Sequence, residues 1–193
     1  FISRAVFDTI DYLPEVLTGL LVFPRLEDAT KALPAIINSG AVVAELLDAA
    51  SLQVARADSD VVNLLPTEPH ADEAALLVEY RAHSTSELDT FASTANKLIS
   101  ELQALPPSGF TTDQGLRGAM WRLRKGLFAS VAATRGSGQL SLLEDIAVPM
   151  EHLLDTIVEL RGLFERYGYV SPVIFGHAKD GNIHFLINES FND

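Results

Sequence analysis

Short apolar runs alternate with longer stretches of helical spacing along the chain, and that pattern predicts most of its elements. Leu17–Phe23 is mostly apolar and ends at Pro24; its second half, from Leu20, reads as a buried strand. Residues 1–16 are mixed, with Pro14 near their end, and read as a lead-in segment. From Glu27 to Asn38 the spacing is helical, with Leu26, Ala29, Ala32, Leu33 and Ile36–Ile37 on one side. Pro34 is expected to kink or shorten this helix, and Gly40 closes it. Ala41–Leu47 is the next strand, passing into a short helical piece around Asp48–Ser51. Residues 54–71 are polar, contain Pro66 and Pro69, and read as a loop. Ala74–Tyr80 is a strand and Ser84–Leu105 a long helix. Ser84-Thr85-Ser86-Glu87 gives that helix a capping box, and Leu88, Phe91, Ala95, Leu98 and Leu102 give it an apolar stripe. Pro106-Pro107 is read as its stop, followed by a short edge strand over Gly109–Thr112.

This first half runs strand–helix–strand twice, the order of a ferredoxin-like α+β sandwich, in which helices pack on an antiparallel sheet. The second half adds a helix over Leu116–Ala133, ended by Arg135-Gly136-Ser137-Gly138, and a strand over Leu140–Val148. A helix then runs from Pro149 to about Tyr167, stopped by Gly168. A hairpin follows, with arms Tyr169–Phe175 and Ile183–Ile187. The expected fold is therefore α+β: a ferredoxin-like antiparallel sheet with helices packed on it, plus a C-terminal helix–strand–helix–hairpin extension that can share the sheet. No strong internal repeat divides the 193 residues, which are expected to form one domain.

The hairpin changes the picture from fold to chemistry. Its two arms are joined through Phe175-Gly-His177-Ala-Lys-Asp180-Gly181-Asn-Ile-His184-Phe185. Asp180-Gly181 is a strong signal for a two-residue type I′ turn. That turn would pair Lys179 with Asn182, Ala178 with Ile183 and His177 with His184. Opposed residues share a face with Cβ atoms about 4.5–5.5 Å apart, close enough for two imidazoles to share one divalent metal. The plainer reading is two ordinary histidines near a turn. A loop centred on Gly181-Asn182 would instead set His177 against Leu186.

Charge and composition narrow the classes. The chain is 48% hydrophobic, enough for a sizeable core. It has no cysteine, and so no disulfide, zinc ribbon or iron–sulfur ligand set of its own. No apolar run approaches the ~20 residues needed to cross a bilayer, and no signal-peptide pattern opens the chain. The chain opens on Phe1 and is read as a piece of a longer protein. A net charge of −12 argues against nucleic acid as a partner. Yet Gln114–Leu143 contains no acid, while Arg117, Arg122, Arg124, Lys125 and Arg135 fall within it. Such a local positive region suits a small anion, or is a chance gap in the acidic residues.

On a helical wheel, Met120, Trp121, Leu123, Leu127, Phe128 and Val131 span one broad face. Arg122 lies opposite and Lys125 outside that arc, but Arg124 falls inside it. A guanidinium on an apolar face needs a partner. Either an internal carboxylate pairs with it, with Glu144 and Asp145 the candidates, or an anionic ligand does. Glu144 and Asp145 are adjacent on a strand and face opposite ways, a poor general acid/base pair, though one could support another site residue. His70, His83 and His152 are assigned no role, and the chain has no Gly-rich phosphate loop and no defensible Ser/His/Asp set.

Taken together, Trp121-x-x-Arg124, Glu144-Asp-Ile-Ala-Val-Pro149 and Gly176-His177-Ala-Lys-Asp-Gly-Asn-Ile-His184 resemble the C-terminal substrate (cap) domain of FAD-linked oxidases. These are the D-lactate, glycolate and D-2-hydroxyglutarate dehydrogenases of the vanillyl-alcohol-oxidase type. Leu20-Leu-Val-Phe-Pro24 and Ala44-Glu-Leu-Leu-Asp48 extend the resemblance over most of the chain. Trp121–Gly126 and Phe175–Ala178 look most like the large bacterial members fused to an iron–sulfur domain. The resemblance implies oxidation of a D-2-hydroxy acid to the 2-oxo acid by hydride transfer to flavin. It implies FAD bound mainly by another, N-terminal domain of the same chain, and an iron–sulfur cluster in a further domain. It also implies a divalent metal, zinc or manganese, on His177 and His184, with Arg124 on the substrate carboxylate. The third metal ligand and the base are expected beyond residue 193, so the fragment alone is expected to be inactive. The electron acceptor is left open, and the expected location is cytoplasmic, with peripheral contact to the inner membrane face allowed. Phe128 and Leu186 stand where some members have polar residues, which points to a more apolar distal pocket and puts a dicarboxylate substrate in doubt. The competing class is a non-catalytic, ferredoxin-like regulatory module that binds a small anion.

Overall fold

Seven strands form one antiparallel sheet in the computed structural model, which describes residues 2–133 and 135–190, without the side chains of Phe128, Ser130 and Val131. They are β1 (Glu15–Phe23), β2 (Val43–Leu47), β3 (Ala74–Ala82), β4 (Leu105–Thr111), β5 (Gln139–Ala147), β6 (Val173–Gly176) and β7 (Asn182–Ser190). Five α-helices among the described residues cover the sheet: α1 (Leu26–Asn38), α2 (Ala49–Ala55), α3 (Thr85–Glu101), α4 (Gln114–Ala133) and α5 (Leu153–Arg166). The strand order is β4-β1-β3-β2-β6-β7-β5. Its first four strands, linked through α1 and α3, are the ferredoxin-like unit. The second half adds β6, β7 and β5 to the edge at β2, so both halves share one sheet, as the sequence pattern allows.

Side-chain alternation along the strands splits the core into two layers. Leu21, Phe23, Leu46, Leu76, Val78 and Tyr80 pack under α1, α3 and α5. Leu20, Val22, Leu47, Leu77, Phe175 and Leu186 pack under α2 and α4, against Leu52, Met120, Leu123 and Leu127. Full burial of each large aliphatic chain contributes about 1.5–3 kcal/mol before entropy, so α4 is held firmly on its layer.

Several element ends differ from the sequence reading. β1 starts at Glu15, inside the expected lead-in segment, because it pairs with β3 as far as Glu15↔Ala82. Helix α1 runs through Pro34, which lies on its exposed side. Pro106-Pro107 does not stop α3, which ends at Glu101; the pair lies within β4, an edge strand where a missing N–H is tolerated. Pro149 precedes a 3₁₀ turn over Met150–His152, and α5 begins at Leu153. The capping box holds in half: Glu87 N–H donates to Ser84 Oγ at 3.3 Å, but Glu87 Oε2 accepts from the backbone of His83, one residue before the cap, at 2.9 Å.

The hairpin is the largest correction. β6 and β7 pair as Val173↔Leu186, Ile174↔Phe185 and Phe175↔His184, so His177 is not opposite His184 and no two-residue turn forms. His177 lies beyond the end of β6, and Ala178–Asp180 form a 3₁₀ turn closed by Gly181 at φ 67°. Tertiary packing overrides the local turn signal here. Ala178 is fully buried in the α1–α3–α5 layer, and Gly181 O accepts the Val148 N–H at 2.9 Å, tying the loop to the end of β5.

Candidate functional site

The site is organised around a buried acid. Glu45 lies in β2 between Ala44 and Leu46, all three buried, with its side chain on the α4 side of the sheet. A carboxylate there is costly unless every oxygen is used. Glu45 Oε2 accepts from Arg124 Nε at 2.8 Å, and Oε1 meets His177 Nδ1 at 2.5 Å. Arg124 is thus the largely buried cation that the wheel singled out, but neither Glu144 nor Asp145 is its partner. The register Asp145↔His184 and Glu144↔Phe185 puts Glu144 on the other face of the sheet and Asp145 beside His184. Glu45 lies nearer, under α4.

Despite the changed turn, the two histidines meet. The rings of His177 and His184 lie 5.3 Å apart at 85°. His184 is half-buried against Phe175, 5.5 Å between rings, and its Nδ1 lies 3.3 Å from Asp145 Oδ1. Asn182 Nδ2 donates to that same Asp145 oxygen at 2.5 Å. Each ring therefore turns Nδ1 toward a carboxylate, leaving Nε2 as the nitrogen these acids do not engage. Burial pushes the His184 pKa below its ordinary value; Asp145 and Glu45 oppose this, while Arg124 and His177 reinforce it. The shift favours the neutral imidazole, the form that binds metals.

Arg124 Cζ lies 4.7 Å from the centre of the Phe175 ring. Its Nε is spent on Glu45, and the terminal nitrogens carry the guanidinium's four further N–H donors. Glu45, Trp121, Arg124, Lys125, Leu143, Phe175, His177 and His184 line one open cleft of about 350 Å³. Trp121 is anchored by a second buried acid, Glu79 of β3, which accepts its indole N–H at 2.8 Å and the Thr18 hydroxyl at 3.0 Å. Arg81 pairs with the other Glu79 oxygen at 2.7 Å.

Of the five cations in the acid-free stretch, Arg124 and Lys125 reach the cleft. Arg117 donates to Thr18, Arg122 pairs with Asp60, and Arg135 bonds the Ala132 carbonyl. Leu186 is buried in the layer beneath α4 and does not line the cleft; the Phe128 side chain lies outside the described residues. Among the described residues, no group of three or more His, Cys, Asp or Glu side chains is placed to hold a metal ion.

The sequence profile described as FAD linked oxidases, C-terminal domain, matches residues 14–193. The chain belongs to the FAD-linked oxidase C-terminal domain family. Similar curated proteins carry the name D-2-hydroxyglutarate dehydrogenase. The one from Pantoea ananatis (strain AJ13355) is 28% identical over 202 residues, and the one from Escherichia coli (strain K12) is 27% identical over 195 residues. Each match covers 95% of this chain and 19% of the relative, so the chain spans about a fifth of their length. Among solved structures, alkyldihydroxyacetonephosphate synthase superposes with a TM-score of 0.69 at 11% identity, over 92% of this chain and 37% of that one. At that identity the match shows a shared fold alone. Glu45 is the cleft residue that sequence reasoning missed, and Glu79, outside the cleft, is the other unforeseen buried acid. Each is a lone acid inside an apolar strand, the mirror image of the signal that exposed Arg124.

Proposed function

We propose that this domain binds the substrate of an FAD-dependent dehydrogenase that oxidises a D-2-hydroxy acid to the 2-oxo acid. One observation carries the reading: Arg124, His177 and His184 converge on a single small cleft from α4, the loop after β6, and β7. The family membership and the names of the two curated relatives support the substrate class. The cleft suits a small acid rather than a dinucleotide, which agrees with FAD being held mainly by another domain of the same polypeptide.

The donor chemistry fits a divalent metal, zinc or manganese. Two imidazoles lie side by side, each with Nδ1 toward a carboxylate. When bound, these groups supply acidification of the substrate hydroxyl by the metal and hydride acceptance by the flavin. The chain's own residues bind and orient. Arg124 offers its terminal nitrogens to the substrate carboxylate, a bidentate match that lysine cannot make. His177 and His184 would hold the metal that serves the hydroxyl end. Trp121, Leu143 and Phe175 form the apolar walls along which the rest of the acid lies, and Lys125 stands at the mouth. An iron–sulfur domain in the same polypeptide and a cytoplasmic location, at most peripheral to the membrane, belong to the same reading; among the described residues no helix is long and apolar enough to cross a membrane.

The test uses the full-length protein. His184→Ala should abolish turnover of D-2-hydroxyglutarate and D-lactate while the visible spectrum shows flavin still bound. Wild-type turnover in that variant would refute the metal role. A wild-type protein whose spectrum lacks flavin would return the domain to a non-catalytic anion-binding module, and one lacking iron–sulfur absorbance would remove that domain from the proposal.

A further inference from the structure

We propose that Glu45 is the positioning residue of this site, fixing Arg124 and His177 relative to each other; the inference rests on the roles given to those two residues above. The chemistry of the position is unusual. β2 is otherwise apolar, and an aliphatic residue at 45 would fill the layer with no desolvation cost. A carboxylate stands there instead, and its two oxygens go to different elements: Oε2 to Arg124 on α4, Oε1 to His177 in the loop after β6. Those residues are 53 positions apart in sequence and meet through this one group.

Each contact has a separate consequence. Glu45 takes Nε of Arg124, which with the Phe175 ring at 4.7 Å fixes the guanidinium plane. The donors left over are the terminal ones that suit a carboxylate. His177 is the more exposed histidine, its side chain 49% accessible on a loop, with little packing to orient it. By accepting the Nδ1 proton, Glu45 selects the tautomer whose Nε2 lone pair can bind a metal. His184 has its own support in Asp145, but that acid is exposed and 3.3 Å away. Glu45 is buried and closer, so the His177 half of the pair is the more tightly held. The placement also joins the halves of the fold. β2 is the last strand of the ferredoxin-like unit and pairs with β6, the first strand of the extension. Through Glu45, the first half contributes to a cleft whose other polar groups come from the second.

The experiment compares Glu45→Gln, Glu79→Gln and His184→Ala with wild type in the full-length protein. Zn²⁺ affinity is read by competition with a chromogenic chelator, KM and kcat with D-2-hydroxyglutarate, and folding by thermal unfolding. Glu79 is the control: a similarly buried acid on the same sheet face that contacts neither histidine. Glu45→Gln should weaken Zn²⁺ binding by roughly 10–100-fold and raise KM, and Glu79→Gln should leave Zn²⁺ affinity unchanged. Unchanged Zn²⁺ affinity in Glu45→Gln, or equal losses in both glutamine variants, overturns the proposal. If Glu45→Gln does not fold, the double variant Glu45→Gln/Arg124→Gln, which removes both charges together, is judged by the same criteria. Full Zn²⁺ affinity in His184→Ala would instead sink the metal reading, a result distinct from failure at Glu45.

Discussion

At the residue scale, single atoms in the loop after β6 decide whether the site exists. Gly181 has φ 67°, and a Cβ built on it would collide with the Val148 carbonyl. Gly168 has a similar φ of 73°, but nothing lies near its missing Cβ. Gly168→Ala should therefore cost only the left-handed backbone term, about 1–2 kcal/mol. Gly181→Ala should cost an additional 1–3 kcal/mol or so for the steric conflict, and it should disturb His177 in the same loop. Urea midpoints compare the two; equal losses would mean that the contact with Val148 relaxes freely. Residue-scale chemistry was half legible in the sequence. Arg124 stood out because helical periodicity is strict enough to expose one misplaced cation. Its partner did not, because β2 and α4 are brought together only by the sheet order, and Glu144 and Asp145 were nearer along the chain.

At the element scale, one carboxylate ties three elements together. Asp48 ends β2 and caps α2, accepting from Ser51 N and Ser51 Oγ at 2.8 Å each, while its other oxygen accepts from Ile174 N of β6 at 2.7 Å. Burial raises its pKa to about 6, against hydrogen bonds that lower it. The sign of the linkage follows. As pH rises from about 4, the unfolded chain loses this proton first, so stability falls until the folded-state value near 6 is passed, then levels off. Two units correspond to on the order of 3 kcal/mol. Urea unfolding between pH 4 and 7 should show this decline in wild type and not in Asp48→Asn; parallel profiles would contradict it. Most elements were legible from periodicity because each helix keeps one apolar side and most inner strands are apolar runs. The hairpin was misread because Asp180-Gly181 is a strong local signal, whereas burial of Ala178 and the tie to Val148 are tertiary events.

At the scale of the whole molecule, the sheet separates two layers with different jobs. The α1–α3–α5 layer is core, and the cleft opens only on the α2–α4 side. That asymmetry follows from alternation: in β2, Ala44 and Leu46 face the first layer, while Glu45 and Leu47 face the second. If the strands hold their register, a void on one face leaves the other in place, and matched cavities test this. Leu33 of α1 and Leu127 of α4 are both buried to within 1%. Replacing either with alanine should cost about 2–5 kcal/mol, depending on how far the site collapses. Leu127 lies three residues after Arg124, one helical turn along the face that carries Trp121 and Arg124 to the cleft. A void there lets α4 settle and moves both groups, so Leu127→Ala should raise KM for the proposed 2-hydroxy acid substrate in the full-length protein. Leu33→Ala, with a comparable drop in melting temperature, should leave KM where it was. Equal KM changes in the two variants would mean that the layers are coupled through the sheet and that the cleft depends on the fold as a whole.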